Sequence, residues 1–339
     1  MDLVKRFFPL LLLILLGCNS VPESTGQPTL EPIPTATALP TLTPNAPSGP
    51  LGSEQNPLIL ALPPSIQPEA DILTAGKTLS SLLEKTTGYK YVSVIPPDEK
   101  ELIHALGAGN AHIASLSPFA YVMASRDGAA QAALGREQEG SAFYSAQFVA
   151  RGGGDYVSYF DAIQAKNLSE DAATALGQFA DKKPCWTDQK SPSGYVVPLG
   201  ILQGAGIKTR EPAFLASHPA VVRALYAGGI CDFGATYVDA RLYPGLEDQL
   251  PDVAKKVEVI WRIPPIIPYE TLVLGRGVPS DVRRVITRAF IDLMADEQAR
   301  SAMQTLYGFS SMQVVEDGQY ADFVKAVRDS GVDVELLIQ

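Results

Sequence analysis

The 339-residue chain has little of the chemistry on which most enzymes depend. It contains only three histidines and three cysteines, and it has neither a Gly-x-Ser-x-Gly nucleophile motif nor a His-Glu-x-x-His zinc motif. We therefore expect no catalysis, no bound metal and no cofactor. Basic residues are outnumbered, with 27 lysines and arginines against 37 acidic residues and a net charge of −10. Because they form no basic block, nucleic acid is not an expected partner.

No hydrophobic run in the chain is long enough to span a membrane. The apolar stretch that follows Lys5 and Arg6 is about ten residues long, whereas a bilayer core of about 30 Å requires about twenty. Residues 1–17 instead have the layout of a secretory signal. Its ending, Leu-Leu-Gly-Cys18, resembles a bacterial lipobox, which implies a lipidated Cys18 and a protein anchored outside the cytoplasm. The alternatives are an uncleaved anchor, or an ordinary secretory signal with an incidental cysteine.

Residues 18–56 are rich in proline, threonine and serine and show no apolar periodicity. Such a segment cannot bury a core, so we expect a disordered tether between the membrane and a globular domain. The remaining residues, about 280 in number, suffice for one large or two medium domains.

The segment after residue 57 alternates between strand and helix patterns. Apolar strands are predicted at 58–62, 89–95 and 111–116, with amphipathic helices at 71–86 and 98–108, an order typical of a largely parallel sheet. Later predictions are a strand at 183–187, helices at 194–205 and 218–227, and one long helix over 280–306 that starts at Ser280 and stops at Gly308. The predicted fold class is α/β, with two lobes joined by two crossover strands and a cleft between them. Lobe 1 comprises 57–150 and 264–339, and lobe 2 comprises 151–263.

A serine-rich loop, Ser191-Pro192-Ser193-Gly194, precedes the predicted helix at 194–205. A helix N-terminus offers unpaired N–H groups and the positive end of the helix dipole, the serine hydroxyls add donors, and a glycine admits an anion close to the backbone. The loop therefore suggests an anion-binding turn. The alternative is a serine N-cap without a ligand.

Cys185 and Cys231 both lie in segments that are typical of short strands. In an oxidising compartment they form either a disulfide or two separate small core residues.

Several segments, taken in order, resemble the periplasmic substrate-binding proteins of phosphate, phosphite and phosphonate ABC transporters. The matching segments are Asp98–Leu106, Ala111–Tyr121, Lys190–Pro198, Ser217-His218, Asp232–Asp239, Val259–Arg262 and Pro268–Glu270. The resemblance covers nearly the whole chain after residue 57. It implies a type II periplasmic-binding-protein fold that closes on a small anionic ligand by hinge motion, a permease as partner, and a monomer.

The resemblance also assigns roles to residues of the second lobe. Ser191, Ser193, Gly194 and Tyr195 fall in the loop that grips phosphonate oxygens, although Pro192 replaces a threonine of the family pattern. His218 corresponds to the histidine that holds the same oxygens. By itself it is more simply explained as a helix cap or a packed surface group.

Other assignments concern the ligand's amine and the first lobe. Asp239 and Glu270 correspond to carboxylates that receive the ammonium of an aminophosphonate, with surface acids as the alternative. Two phosphonate-contacting tyrosines of the first lobe are absent, and Glu99 and either Leu116 or Ser117 occupy their neighbourhood. Ser117 and Tyr121 are the candidate substitutes.

The leading hypothesis is a lipid-anchored substrate-binding component of an ABC importer, which captures a small phosphorus oxyanion or a phosphonate, including an aminophosphonate. Two alternatives keep the fold: a binding protein that passes its ligand's signal to a membrane receptor or kinase, and a binding protein for another small anion. An extracellular hydrolase is disfavoured because the chain lacks the motifs named above.

Overall fold

Two β-sheets covered by helices form the structure, a computed structural model that describes residues 49–64, 69–153 and 156–338. The predicted signal, Cys18 and most of the tether lie outside the described residues. The strands are β1 (Leu58–Ala61), β2 (Tyr91–Val94), β3 (Ile113–Leu116), β4 (Ala130–Arg136), β5 (Phe143–Arg151), β6 (Phe160–Asp161), β7 (Lys166–Asn167), β8 (Pro184–Trp186), β9 (Ala213–Phe214), β10 (Phe233–Tyr237), β11 (Val257–Pro268), β12 (Thr271–Gly275) and β13 (Met312–Val314).

The α-helices are α1 (Glu69–Thr87), α2 (Glu99–Ala108), α3 (Pro118–Arg126), α4 (Ala172–Leu176), α5 (Val197–Gly204), α6 (His218–Ala227), α7 (Leu246–Gln249), α8 (Val253–Lys256), α9 (Ser280–Leu293), α10 (Glu297–Tyr307) and α11 (Ala321–Asp329). A π-helical turn, Pro192–Val196, leads into α5. The predicted helix at 218–227 is confirmed with the same bounds.

The first sheet has the strand order β13-β4-β12-β3-β1-β2. β1 is parallel to β2 and β3, as predicted. The prediction of a largely parallel sheet is wrong for the remainder, because β12 runs antiparallel to both β3 and β4, and β13 is antiparallel to β4. β12 is antiparallel to its neighbours because the chain enters it from the second sheet.

The second sheet has the order β11-β5-β10-β8-β9, with β5 antiparallel to β10 and β11. β5 therefore belongs to this sheet, whereas the predicted boundary at 150/151 counted it with lobe 1. The residue boundaries of the two lobes stay a prediction. Between β4 and β12 the chain crosses from one sheet to the other and back, through a first crossover (137–142) and a second crossover (269–270).

The predicted long helix over 280–306 is two helices. α9 ends at Leu293, and the Asp296 carboxylate then accepts a hydrogen bond from the Ala299 N–H (3.0 Å), which caps the start of α10. Gly308 ends α10 in the left-handed conformation (φ 72°), as predicted. Ser280 is the first residue of α9 rather than its cap.

Helix α11 follows β13 of the first sheet but packs on α5, which follows β8 of the second. The two helices approach so closely that a Cβ at Gly200 would overlap the carbonyl oxygen of Ala326. Phe323 and Val327 of α11 share a buried cluster with Leu202 of α5. The C-terminal helix is therefore a further link between the parts of the chain that carry the two sheets.

Cys185 and Cys231 form a disulfide with a Cα–Cα distance of 5.6 Å. It ties the fully buried β8 to the segment just before β10, the adjacent strand. Of the two alternatives for these cysteines, the structure contains the disulfide.

None of the helices in the described part of the chain combines the length and the apolar character that crossing a membrane requires.

Candidate ligand-binding site

The serine loop folds as a capped helix start. The Oγ of Ser191 accepts a hydrogen bond from the Gly194 N–H (3.0 Å), the arrangement of a serine N-cap. Pro192 follows at the first helical position, where its missing N–H costs little and its fixed φ favours the helix. Ser193 is 3 % exposed and belongs to the π-helical turn, which packs against β5. The Ser191 hydroxyl is thus engaged by the cap, and Ser193 is the serine that faces a cavity.

Gly194 has a packing role that the sequence did not indicate. A Cβ at this position would overlap the side chain of Thr187, which is buried at the end of β8. The Thr187 N–H also donates to the Gly194 carbonyl (3.2 Å). The glycine is therefore needed to seat the loop on β8. Its expected role in admitting an anion to the backbone stays a prediction.

His218 is the first residue of α6, whose N-cap is Ser217. Its Nδ1 accepts a hydrogen bond from the Tyr237 N–H (3.2 Å). Burial lowers the pKa of His218 from 6.5 to about 4, against the opposing charge of Asp188, so the ring is neutral at pH 7. A neutral ring whose Nδ1 accepts carries its proton on Nε2, and that atom is a donor.

Ser193 and His218 line one cavity of about 630 Å³, which we call the grip cavity. Burial raises the pKa of Tyr144 to about 12, while a hydrogen bond from Ser193 opposes that shift, so the phenol stays protonated and able to donate. The other lining residues are Gln138, Glu139, Ser141, Phe143, Ser145, Tyr237, Val238, Pro265 and Tyr269. Among the residues that the structure describes, no lysine or arginine lines this cavity. Its donors to an oxyanion are neutral hydroxyls and an imidazole.

A second cavity, also about 630 Å³, is lined by Lys190 and Pro192 together with Glu99 and Ser117. Ser117 caps α3 and donates both its N–H (3.0 Å) and its hydroxyl (2.9 Å) to the Glu99 carboxylate. The protein's own carboxylate therefore occupies the start of α3. The structure does not bring Ser117 to the grip cavity.

The carboxylate of Asp239 is already neutralised. It receives the Arg241 guanidinium on both oxygens (2.6 Å to Oδ2 and 3.0 Å to Oδ1) and an amide N–H of Gln147 (2.8 Å). Burial would raise the pKa of Asp239, but the hydrogen bonds and charge of Arg241 outweigh it and lower that pKa. Asp239 is not among the residues that line either cavity, although Tyr237 and Val238 line the grip cavity.

Glu270 is also paired. Its carboxylate lies 3.0 Å from the Arg136 guanidinium, which in turn lies over the Tyr269 ring at 5.4 Å. Tyr269 lines the grip cavity, whereas Glu270 does not. The structure therefore leaves neither of the expected carboxylates free beside the grip residues.

Comparison with known proteins decides the family. The family model described as "ABC transporter, phosphonate, periplasmic substrate-binding protein" matches residues 62–320. The chain belongs to this phosphonate-binding family. It is a family of transport proteins rather than of enzymes. Its fold is the two-lobed type II periplasmic-binding-protein fold expected from the sequence.

Individual relatives are more distant. The phosphate-import protein PhnD of Mycolicibacterium smegmatis is 29% identical over 181 residues, which are 50% of this chain and 51% of that protein. The chain thus spans about half the length of this curated relative. XAC2383 from Xanthomonas citri, solved with bound ATP, superposes with a TM-score of 0.54 at 15% identity over 81% of this chain and 96% of its own. Mh-p37 of Mycoplasma hyorhinis gives 0.50 at 11% identity over 82% and 100%.

Two residues assigned from the phosphonate-binding family's pattern lie elsewhere. Tyr121 is 1 % exposed and donates its hydroxyl to Asp317 (2.7 Å), so the structure does not bring it to either cavity. Tyr195 packs against the rings of Trp186 and Phe214, with centroid distances of 6.1 and 5.0 Å. It supports the loop and is not a lining residue of either cavity.

Tyr144 and Tyr269 were missed by sequence reasoning. Their rings stack at 4.9 Å, and each lies where a crossover meets the second sheet. The predicted crossover through Pro268 and Glu270 contained a signal for Tyr269. No pattern in the sequence indicated Tyr144.

Proposed function

We propose that this protein is the substrate-binding component of an ABC importer and that it captures a small phosphate-like oxyanion or phosphonate in the grip cavity. One observation carries the proposal: His218, Ser193 and Tyr144, whose side chains each carry a neutral hydrogen-bond donor, line the same cavity. Hydrogen bonds from neutral donors to an ionised acceptor are strong, and three such donors suit an anion with several oxygens. The family and the name of the phosphate-import relative support this ligand class.

Calorimetric titration tests the ligand class. Phosphate, phosphite and methylphosphonate are titrated into the wild-type protein, with acetate as a control of different geometry. We expect at least one phosphorus ligand to bind, and His218→Ala and Ser193→Ala each to weaken it by about tenfold or more, the loss of one hydrogen bond to a charged group. Wild-type protein that binds none of the three, or variants with unchanged affinity, would contradict the proposal.

Membrane attachment through Cys18 is a second part of the proposal. Lys5, Arg6 and the short apolar run that ends at Cys18 support a lipidated N-terminus. A single acyl chain holds a protein only marginally, so stable anchoring requires the several chains of a bacterial lipoprotein. Mass spectrometry of the N-terminal peptide from bacterial membranes checks this. Detection of an unmodified Cys18 would refute it.

A further inference from the structure

A cavity of about 390 Å³ lies between helix α9 and strands β4 and β13 of the first sheet, and we call it the α9 cavity. Its volume is within the range of small-molecule sites. Of the described residues, none lines both this cavity and the grip cavity. The α9 cavity is therefore a compartment separate from the one assigned to the phosphorus ligand.

One wall of the α9 cavity is apolar. It is formed by Ala132 and Ala133 of β4, by Ile291 of α9, and by Val314 and Val315 at the end of β13. Val314 is 59 % exposed, and β13 is the outermost strand of its sheet. An aliphatic group placed against this wall would remove apolar surface from water, which is favourable.

The charged lining residues give the same cavity a positive excess. Three arginines of α9, Arg283, Arg284 and Arg288, line it together with one carboxylate, that of Glu316. The chain as a whole carries a net charge of −10, so the local excess has the opposite sign. Arg288 is paired with Asp292 (2.9 Å), whereas Arg284 has neither an ion pair nor a hydrogen bond within the part of the chain that the structure describes. The Arg284 guanidinium is thus available to an anion.

The guanidinium of Arg283 is incompletely satisfied. Its Nη1 atom is buried and has no hydrogen-bond partner among the described residues. Its Nη2 atom lies 3.5 Å from the carbonyl oxygens of Gly275 and Val278, at the long limit for a hydrogen bond. Burial lowers the pKa of Arg283, and the charge of Asp317 opposes that shift. A partly buried cation without a close ion pair is stabilised by an anion bound nearby.

We propose that the α9 cavity binds an aliphatic monocarboxylate, whose carboxylate pairs with Arg284 and whose chain packs on Ile291 and Val314. Guanidinium groups match the planar carboxylate and can bind both of its oxygens. Glu316 repels a second negative charge, so a monoanion fits this lining better than a dianion. This second site neither depends on the proposed function nor replaces it, because it shares no lining residue with the grip cavity.

Calorimetric titration of the wild-type protein with butanoate, hexanoate and octanoate tests both halves of the proposal. Hexanoate should bind about tenfold more tightly than butanoate, because two further methylene groups are buried on the apolar wall. Octylammonium, which has the same chain length as octanoate and the opposite charge, should bind at least tenfold more weakly than octanoate. Octanoate that does not bind, or that binds no better than octylammonium, would overturn the proposal.

Three variants locate the site. Arg284→Gln should weaken octanoate binding at least about threefold, the effect of losing one ion pair at an exposed position. Arg223→Gln is the matched control, because Arg223 is an exposed helical arginine that donates to Gln249 (2.8 Å) and does not line the cavity. His218→Ala should bind octanoate as the wild-type protein does, since His218 lines the grip cavity. Unchanged affinity in Arg284→Gln, or lost affinity in His218→Ala, contradicts the assignment.

A further variant tests the apolar wall without relying on the arginines. Val314→Asp places a carboxylate where the aliphatic chain is expected, and the exposure of Val314 makes the change tolerable to the fold. Octanoate binding should fall at least tenfold while the melting temperature stays close to that of the wild-type protein. A folded Val314→Asp protein that binds octanoate with the wild-type affinity would show that the chain lies elsewhere.

Discussion

At the scale of single residues, the protonation state of His218 determines what the grip cavity can bind. A hydrogen bond from the Tyr237 N–H fixes Nδ1 as the acceptor, and burial keeps the ring neutral. The ring therefore donates through Nε2 across the whole range from pH 5 to 8. Ligand affinity should not depend on the titration of this histidine in that range.

The same residue should make the protein sensitive to acid. Its pKa is 6.5 in the unfolded chain and about 4 in the folded one, so between these values the unfolded state binds a proton that the folded state does not. Stability is therefore lost as the pH falls from 6.5 to 4, by roughly 2–3 kcal/mol. Urea unfolding at pH 7 and pH 4.5 should show a smaller loss for His218→Gln than for the wild-type protein.

His112 is a second histidine whose burial affects this comparison. Burial lowers its pKa too, and its Nδ1 accepts from the Ile59 N–H (2.9 Å), so it contributes to acid sensitivity in wild type and variant alike. If the two proteins lose the same free energy of unfolding, His218 does not have the lowered pKa that its burial indicates.

Two residues of the candidate site were predictable because the family resemblance named them. The resemblance pointed to Ser193 and His218, and both line the grip cavity. The pairing of Glu270 was not predictable, because its partner Arg136 is 134 positions away in the chain. Such a contact depends on how β4 and the second crossover meet, which no local pattern encodes.

At the scale of elements, the contact between α5 and α11 depends on the absence of a side chain at Gly200. We expect Gly200→Ala to destabilise the protein by about 1–3 kcal/mol, the usual cost of overpacking, because its methyl group would overlap the backbone of α11 at Ala326. Gly204→Ala is the matched control. Its Cβ would lie 3.2 Å from the Asp329 carboxylate, which is a movable side-chain group.

Thermal unfolding of both variants checks this prediction. Alanine is a better helix former than glycine, so Gly204→Ala should be neutral or stabilising. If Gly200→Ala is as stable as the wild-type protein, the close approach of the two helices is not present in solution.

Helix boundaries were predictable where the sequence contains a recognisable N-cap residue. The helix at 218–227 was found with the correct bounds because Ser217 and Pro219 mark its start. The break between α9 and α10 was missed, since apolar periodicity continues through Met294 and only the Asp296 cap reveals the restart.

At the scale of the whole molecule, ligand binding should bring the two lobes together. The chain crosses between the sheets at 137–142 and 269–270, and residues of both crossovers line the grip cavity. A ligand that binds the closed arrangement more tightly shifts the population toward it. Small-angle X-ray scattering of residues 47–339, which form one compact unit, should show a smaller radius of gyration with saturating ligand.

His218→Ala is the control for this measurement, because at the same ligand concentration it should remain close to its ligand-free radius. A wild-type radius that does not change at saturation would contradict hinge closure. In that case the lobes would already be closed, or α11 would hold them fixed.

The two-lobed architecture was predictable and the strand directions were not. Alternation of strands and helices from Leu58 to Leu116 gave the parallel half of the first sheet correctly. The antiparallel half depends on β12 returning from the second sheet, and a returning strand has the same local pattern as any other apolar strand.

The position of β12 also bears on how the protein is made. β12 lies between β3 and β4, strands that come one after the other in sequence, so the first sheet has a gap until residues 271–275 have been synthesised. The residues between β4 and β12, about 130 in number, build the second sheet and must emerge first. A nascent chain shorter than this would expose the edges of β3 and β4, where it can mispair or aggregate.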